Sequence, residues 1–361
     1  MSDNFLYEKL LRPWLFQLDP EAAHALAHKL AGSARPLLPL LFGGLNYPGD
    51  DLKVNLAGVE LANPVGLAAG FDKNGALVHV LGQLGFGFAE IGSVTARPSG
   101  GNPRPRLFRL PDDDCLVNRL GLNGDGADVV AERLLESRFS LPVGLNIAKT
   151  NDPLIQGDQA IADLLYTFKK VRELPVSYVT VNASCPNTRE GRLEEKRELA
   201  IVFAEMQKDN PGKVPLFVKL SPDSSPELLE DIVESAIGQG LAGYVCGNTT
   251  LSRSNLRTAT DAVARAGQGG LSGRPLRPLA LELCRRVCKL KSPTQQIIGV
   301  GGVSSGQDAY DFMGAGASAV QLYTGLVYKG PALPRRMCEE LSALLKRDGL
   351  RLDEAIGSRC R

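Results

Sequence analysis

From about residue 50 onward, short apolar runs alternate with helix-patterned segments and loops, and they do so eight times. The runs lie near Val65–Ala69, Phe88–Ser93, Val143–Ile147, Tyr178–Asn182, Leu216–Leu220, Gly243–Gly247, Ile297–Val300 and Ala319–Leu322. Several are nearly continuous in apolar residues, as strands covered on both faces should be. Strands that alternate with helices read as parallel βα units, and eight such units within roughly 300 residues fit a TIM barrel. A doubly wound sheet is the runner-up. It needs a G-x-G-x-x-G turn after its first strand, and Ala68-Ala-Gly-Phe-Asp72 does not supply one. The predicted class is α/β: a TIM (β/α)8 barrel over residues 46–361 with a small helical extension over 1–45.

The extension is unusually apolar. Asp3 or Asn4 can cap a first helix carrying Phe5, Leu6, Tyr7, Leu10, Leu11, Trp14 and Leu15. Asp19-Pro20-Glu21 then reads as cap, first-turn proline and acidic start of a second helix through about Ala31. Pro36-Leu-Leu-Pro-Leu-Leu-Phe42 follows, ending in Gly43-Gly44.

Composition excludes more than it selects. At 361 residues and 43% hydrophobic the chain can bury a large core, and a net charge of +1 gives no reason to expect nucleic acid as a partner. Seven cysteines, with no C-x-x-C pair and no secretory h-region, read as reduced thiols in a cytosolic compartment. His24 and His28 share a helix face, but no glutamate follows His24 as a zincin motif requires, so no metal site is expected. No apolar run reaches the ~18–20 residues of a spanning helix.

The polar clusters follow the strand ends, which in a barrel puts them on one face. Tyr178-Val-Thr-Val-Asn-Ala-Ser-Cys-Pro-Asn-Thr188 runs from an apolar strand into amides and a thiol. The loops Ile298–Ser305 and Gln321–Gly325 follow the seventh and eighth strands, where barrels place phosphate groups against free backbone N–H groups. Lys219, inside the apolar run Phe217–Leu220, must pair internally or face a ligand; Lys73 follows the first strand. Asparagines at 118, 123, 146, 182, 187 and 248 both donate and accept, which suits a planar ring carrying N–H and C=O groups.

These segments, in order and over roughly residues 5–335, resemble the dihydroorotate dehydrogenases, flavoenzymes of pyrimidine synthesis. The likeness is to the class 2, quinone-using, membrane-associated branch. Ala68–Lys73 resembles the first flavin loop, which puts Ala69, Gly70, Phe71, Asp72 and Lys73 on the cofactor, with Lys73 also reaching substrate. Glu90–Thr95 resembles the second strand, with Ser93 on the flavin, and Gly101–Leu110 its long excursion. Asn118-Arg119-Leu120-Gly121-Leu122-Asn123 is similar to the orotate loop, so residues 118–122 are expected on substrate. Asn146, Asn182, Lys219, Gly247, Gly273, Gly302, Tyr323 and Thr324 fall on flavin positions. Asn182, Asn187, Asn248 and Thr249 fall on substrate positions, and Cys185 on the catalytic base. Leu18–His24 resembles the class 2 extension, and His24, Arg109 and Tyr323 match a quinone tunnel.

Two positions depart from the pattern. Class 2 enzymes normally carry serine as the base, where this chain has Cys185, the choice of the soluble class 1 enzymes. A thiol of free pKa about 8.5 is the better proton acceptor of the two. Gly247 stands where a threonine is usual. The resemblance implies FMN as cofactor, (S)-dihydroorotate oxidised to orotate, and a quinone as electron acceptor. It also implies a monomer or weak homodimer, peripheral on the cytoplasmic face of the cell (inner) membrane, where Lys9, Arg12 and Lys29 beside Trp14 and Phe16 suit a bilayer interface. The alternatives are a class 1-like enzyme with a soluble acceptor such as fumarate, and a non-catalytic flavin-binding paralogue. A dihydrouridine synthase would need a basic surface that the charge balance lacks.

Overall fold

The computed structural model describes residues 7–33, 45–183 and 196–360. Eight parallel strands close into a barrel: β3 (Val65–Leu67), β4 (Phe88–Val94), β7 (Val143–Ile147), β8 (Tyr178–Asn182), β9 (Leu216–Leu220), β10 (Gly243–Cys246), β12 (Gln296–Val300) and β13 (Ala319–Leu322). Val320 pairs with Val65, so the last strand closes on the first and no barrel edge is left to solvent. All eight expected strands are present, with ends shifted by two residues or fewer. Their burial is continuous along β7 and β9, as the apolar runs require.

Five further strands were not expected. β1 (Val54–Leu56) and β2 (Val59–Leu61) form an antiparallel hairpin, and its Leu56 and Leu61 pack with Phe88, Tyr178, Phe217, Val245 and Ile298 in a core cluster of their own. β5 (Leu107–Leu110), β6 (Cys115–Asn118) and β11 (Gly270–Gly273) make a three-stranded antiparallel sheet from two distant excursions. Each has only three or four residues, too short for a period-2 pattern to stand out.

Helices wrap the barrel, and several start where local chemistry dictates. Ser225 accepts from the Leu228 N–H ahead of Pro226, and Ser305 accepts from the Asp308 N–H. At the N-terminus, Asp19 Oδ1 accepts from the N–H groups of Glu21 and Ala22, as expected of a cap, and the helix Pro20–Ser33 follows. Before it the chain is helical over Tyr7–Leu15. The expected caps Asp3 and Asn4 and the segment 36–42 lie outside the described residues.

The cysteines correct one expectation. Cys115, Cys246, Cys284 and Cys338 are free and buried, but Cys288 and Cys360 form a disulfide, with Cα atoms 6.4 Å apart. This bond ties the C-terminal segment to the helix Arg277–Leu290. The odd cysteine count and the absent C-x-x-C pair carry no information about a pair 72 residues apart.

Candidate functional site

A cavity opens at the C-terminal ends of the barrel strands, where the β5-β6-β11 sheet contributes Leu107, Leu116, Asn118, Ser272 and Gly273 to its wall. One end is rich in backbone. Gly273, Gly301 and Gly302 take φ values of +102°, +129° and +71°, and Thr324 and Gly325 line the cavity with them. Ser272 Oγ and Thr324 Oγ1 are hydrogen-bonded at 2.8 Å. A Cβ on Gly273 would stand 2.3 Å from the Asp114 carbonyl oxygen, so only glycine fits this turn. Loops of this kind leave N–H groups to meet a phosphate.

The remainder of the wall is polar and ordered. Lys219 Nζ is carried into it by β9, in a side chain that is almost fully buried. Lys73 Nζ donates to Asn123 Oδ1 at 2.6 Å. Burial and, second, the charge of Arg106 lower the Lys73 ammonium to about 8, while Glu21 acts in the opposite direction. Asn248 Nδ2 donates to Asn182 Oδ1 at 3.4 Å, and Asn118 Nδ2 donates to the Gly270 carbonyl at 3.3 Å. Two buried oxygens of lining residues, Thr249 Oγ1 and Gln321 Oε1, have no partner among the described residues. Buried polar atoms are rarely left so, and these two fit a ligand with its own ring donors. A glycine-rich loop, two lysines and these oxygens suit an anionic, ring-bearing group such as a flavin mononucleotide.

A second cavity lies between the N-terminal helices and the barrel, and its character is the opposite. Leu11, Leu15, Phe16, Ala23, Ala27 and Leu326 are among its lining residues. Leu107, Leu116 and Tyr323 line both cavities, so they form a common wall. The Tyr323 ring lies edge-on to Phe71, centroids 5.4 Å apart, and parallel to His24 at 6.4 Å. Burial raises the Tyr323 hydroxyl to about 12 and lowers His24 to about 3, so both are neutral near pH 7. Arg109 is the cation of this cavity; it donates to the Leu18 carbonyl at 2.8 Å and stacks over the Phe16 ring at 4.6 Å.

Residues 51–345 match the family model described as dihydroorotate dehydrogenase. The chain belongs to that family. It is 42% identical over 356 residues to a dihydroorotate dehydrogenase (quinone) of Natronomonas pharaonis, covering 98% of this chain and 99% of that one. It is 43% identical over 359 residues to the protein of that name from Roseiflexus sp., covering 96% and 97%. Among solved structures, the DHODH of Eimeria tenella in complex with ferulenol superposes with a TM-score of 0.83 at 33% identity, over 95% of this chain and 96% of that one.

Most residues expected from the dihydroorotate dehydrogenase pattern meet in the first cavity: Ala69, Gly70, Lys73, Ser93, Asn118, Leu120, Gly121, Leu122, Asn182, Lys219, Asn248, Thr249, Gly273, Gly302, Tyr323 and Thr324. His24, Arg109 and Tyr323 all line the second. Cys185 and Asn187 lie outside the described residues.

Five expected positions stand behind the wall rather than on it. Phe71 faces the second cavity. Asp72 accepts from the N–H groups of Ala76 and Leu77, holding the loop after β3. Arg119 turns away to donate to the carbonyls of Ala266, Gln268 and Pro105, so it braces the loop 118–123 from outside. Asn146 is fully buried against Glu90 and Ser93. Gly247, at φ +130°, would bring a Cβ within 1.8 Å of the Val300 carbonyl oxygen, so this backbone has no room for threonine there.

Sequence reasoning missed Glu90, whose carboxylate is fully buried in β4. A lone glutamate in an apolar strand was the available signal, the same one that singled out Lys219. Gln321 and Ser272, also on the cavity wall, carry no such mark. Among the described residues, no group of three His, Cys, Asp or Glu is placed to hold a metal ion.

Proposed function

We propose that the chain is an FMN-dependent enzyme that oxidises (S)-dihydroorotate to orotate and passes the electrons to a quinone. The observation that carries this reading is the common wall of Leu107, Leu116 and Tyr323 between a polar, asparagine-lined cavity and an apolar one. Its relatives bear the name dihydroorotate dehydrogenase (quinone). The flavin, when bound, supplies the chemistry of accepting a hydride from C6 of dihydroorotate and releasing two electrons to a quinone.

The residues of the chain do the rest. Cys185, as thiolate, takes the C5 proton. Lys73 holds the substrate carboxylate, while Asn118, Asn182, Asn187 and Asn248, with Thr249, meet the ring amides. Lys219 places positive charge where a reduced flavin gathers negative charge. The loops at Gly273, Gly302 and Thr324 hold the phosphate. His24 and Arg109 line the route by which the quinone headgroup approaches Tyr323.

Residues 1–45 form the quinone-binding, membrane-associating extension and 46–361 the catalytic barrel. No helix among the described residues is long and apolar enough to cross a membrane. Leu10, Leu11, Trp14 and Leu30 are exposed on the extension, which supports peripheral binding, placed on the cytoplasmic face of the cell (inner) membrane. A monomer or weak homodimer completes the proposal.

Anaerobic addition of dihydroorotate should bleach the yellow protein, and a ubiquinone or menaquinone analogue should restore its colour faster than fumarate does. Faster recovery with fumarate would favour the soluble-acceptor reading that Cys185 raises. No bleaching would refute dihydroorotate oxidation altogether.

A further inference from the structure

Beneath the first cavity, Glu90 accepts hydrogen bonds from four neutral donors. Asn146 Nδ2 donates to Oε1 at 2.8 Å; Gln321 Nε2, Thr180 Oγ1 and Tyr178 Oη donate to Oε2 at 2.9, 3.2 and 3.3 Å. Asn146 Nδ2 and Gln321 Nε2 can only donate, so each oxygen of the Glu90 carboxylate accepts at least one amide N–H. Its influence reaches the surface of the cavity through a chain of one direction. Asn248 Nδ2 donates to Asn182 Oδ1 (3.4 Å), Asn182 Nδ2 to Ser93 Oγ (3.1 Å), Ser93 Oγ to Asn146 Oδ1, and Asn146 Nδ2 to Glu90.

We propose that Glu90 is a positioning residue for substrate recognition, which acts by setting the hydrogen-bond direction of Ser93, Asn182 and Asn248. The inference rests on the reading that this cavity takes dihydroorotate. An amide is symmetric in shape but not in chemistry, and turning it over exchanges donor for acceptor. Because Glu90 Oε1 accepts, Asn146 presents Nδ2 to it and Oδ1 to Ser93. The Ser93 proton is then committed to Asn146, which leaves Ser93 an acceptor toward Asn182. Asn182 must offer Nδ2 to Ser93 and Oδ1 to Asn248. Ser93, Asn182 and Asn248 all line the cavity, so Glu90 decides which ring edge of a ligand they match.

Exchanging groups tests direction separately from support. In Glu90→Gln the amide can take over the acceptor role toward Gln321, Thr180 and Tyr178, but its Nε2 then meets Asn146 Nδ2. Asn146 turns, the Ser93 proton is released, and the amides above lose their single orientation. Adding Asn146→Asp exchanges carboxylate and amide between the two positions, so Ser93 again donates into an acceptor.

Flavin-loaded proteins are titrated with orotate, read from the flavin absorbance band, with thermal melting by circular dichroism as the control for folding. Glu90→Gln should weaken orotate by about 10- to 100-fold, the worth of a mismatched buried hydrogen bond. The double variant should return to within about threefold of wild type. Two results overturn the proposal: wild-type affinity in Glu90→Gln, or no recovery in the double variant. If Glu90→Gln does not fold, Ser93→Ala breaks the chain at a cavity-lining link, and undiminished orotate binding there is equally fatal. Failure of the wild-type protein to bind orotate would instead remove the dihydroorotate reading itself, and this inference with it.

Discussion

Glu21 and Arg106 join the helix Pro20–Ser33 to the segment before β5 by a two-pronged ion pair. Arg106 Nη2 and Nε donate to the two carboxylate oxygens at 2.6 and 3.1 Å. The same guanidinium donates to the carbonyls of Gly100 and Asn102, and the Arg106 carbonyl accepts from the N–H of Arg119 in the loop 118–123. The helix that lines the apolar cavity is thereby fastened to the loop that lines the polar one. The guanidinium holds the Glu21 carboxyl below its usual range.

Glu21→Gln should lower stability by about 1–3 kcal/mol, since it strips charge-assisted bonds from a nearly buried arginine. The loss should show in urea melts at pH 7. It should shrink toward acid pH, because a carboxylate with a depressed folded pKa gives up its contribution as pH falls through that value. An unchanged midpoint would mean that the pair is merely present.

Lys73, if it holds the substrate carboxylate as proposed, should give the dihydroorotate reaction an alkaline limit. Burial and the charge of Arg106 bring its ammonium down to about 8, with Glu21 acting in the opposite direction. Above that pH its positive charge is lost, and kcat/KM for dihydroorotate should fall. In Glu21→Gln the charge of Arg106 is no longer offset, so the limit should move to lower pH. A pH profile of kcat/KM in both proteins decides this.

Cys185→Ala should leave the flavin bound but slow its reduction by dihydroorotate by on the order of 10²–10⁴, the usual worth of a positioned base. Cys185→Ser should retain far more activity than Ala, with its profile displaced to higher pH. Stopped-flow reduction of all three proteins provides the comparison, and equal rates for Ser and Ala would remove the assigned role.

Filling the apolar cavity should separate the half-reactions. Ala23 is buried on its wall, and Ala23→Phe would fill the space proposed for a quinone. Dihydroorotate should reduce the flavin as before, while reoxidation by a quinone analogue slows about tenfold or more. Equal slowing of both steps would show that the cavity is not a separate route.

His24 makes the fold sensitive to acid. Its folded pKa of about 3 lies below the unfolded value near 6.5, so the unfolded chain binds the proton first. Stability present above pH 6.5 is therefore lost as pH falls toward 3. His24→Gln should flatten the melting temperature between pH 6.5 and 4 relative to wild type; a curve parallel to wild type would contradict this.

The barrel was legible because its apolar runs recur eight times, each followed by a helical pattern or a long loop. The β5-β6-β11 sheet was not, since its strands lie inside those loops and β11 enters the chain some 150 residues after its partner β6. Motif order located the cavity residues well. It did not separate those on the wall from those behind it, as with Arg119 and Asn146, because a linear pattern records which residues a backbone requires but not where a side chain points. The role of Gly247 was read from a missing threonine, whereas the close approach of Val300 explains it from the backbone.

The partition of Leu107, Leu116 and Tyr323 has a kinetic consequence. If pyrimidine and quinone take the two chambers as proposed, the oxidant need not await departure of the pyrimidine, and neither occupies the other's seat. Product inhibition by orotate should then be non-competitive toward quinone. A small apolar inhibitor lodged beneath the N-terminal helices should block turnover while leaving the pyrimidine side in full equilibrium with solution.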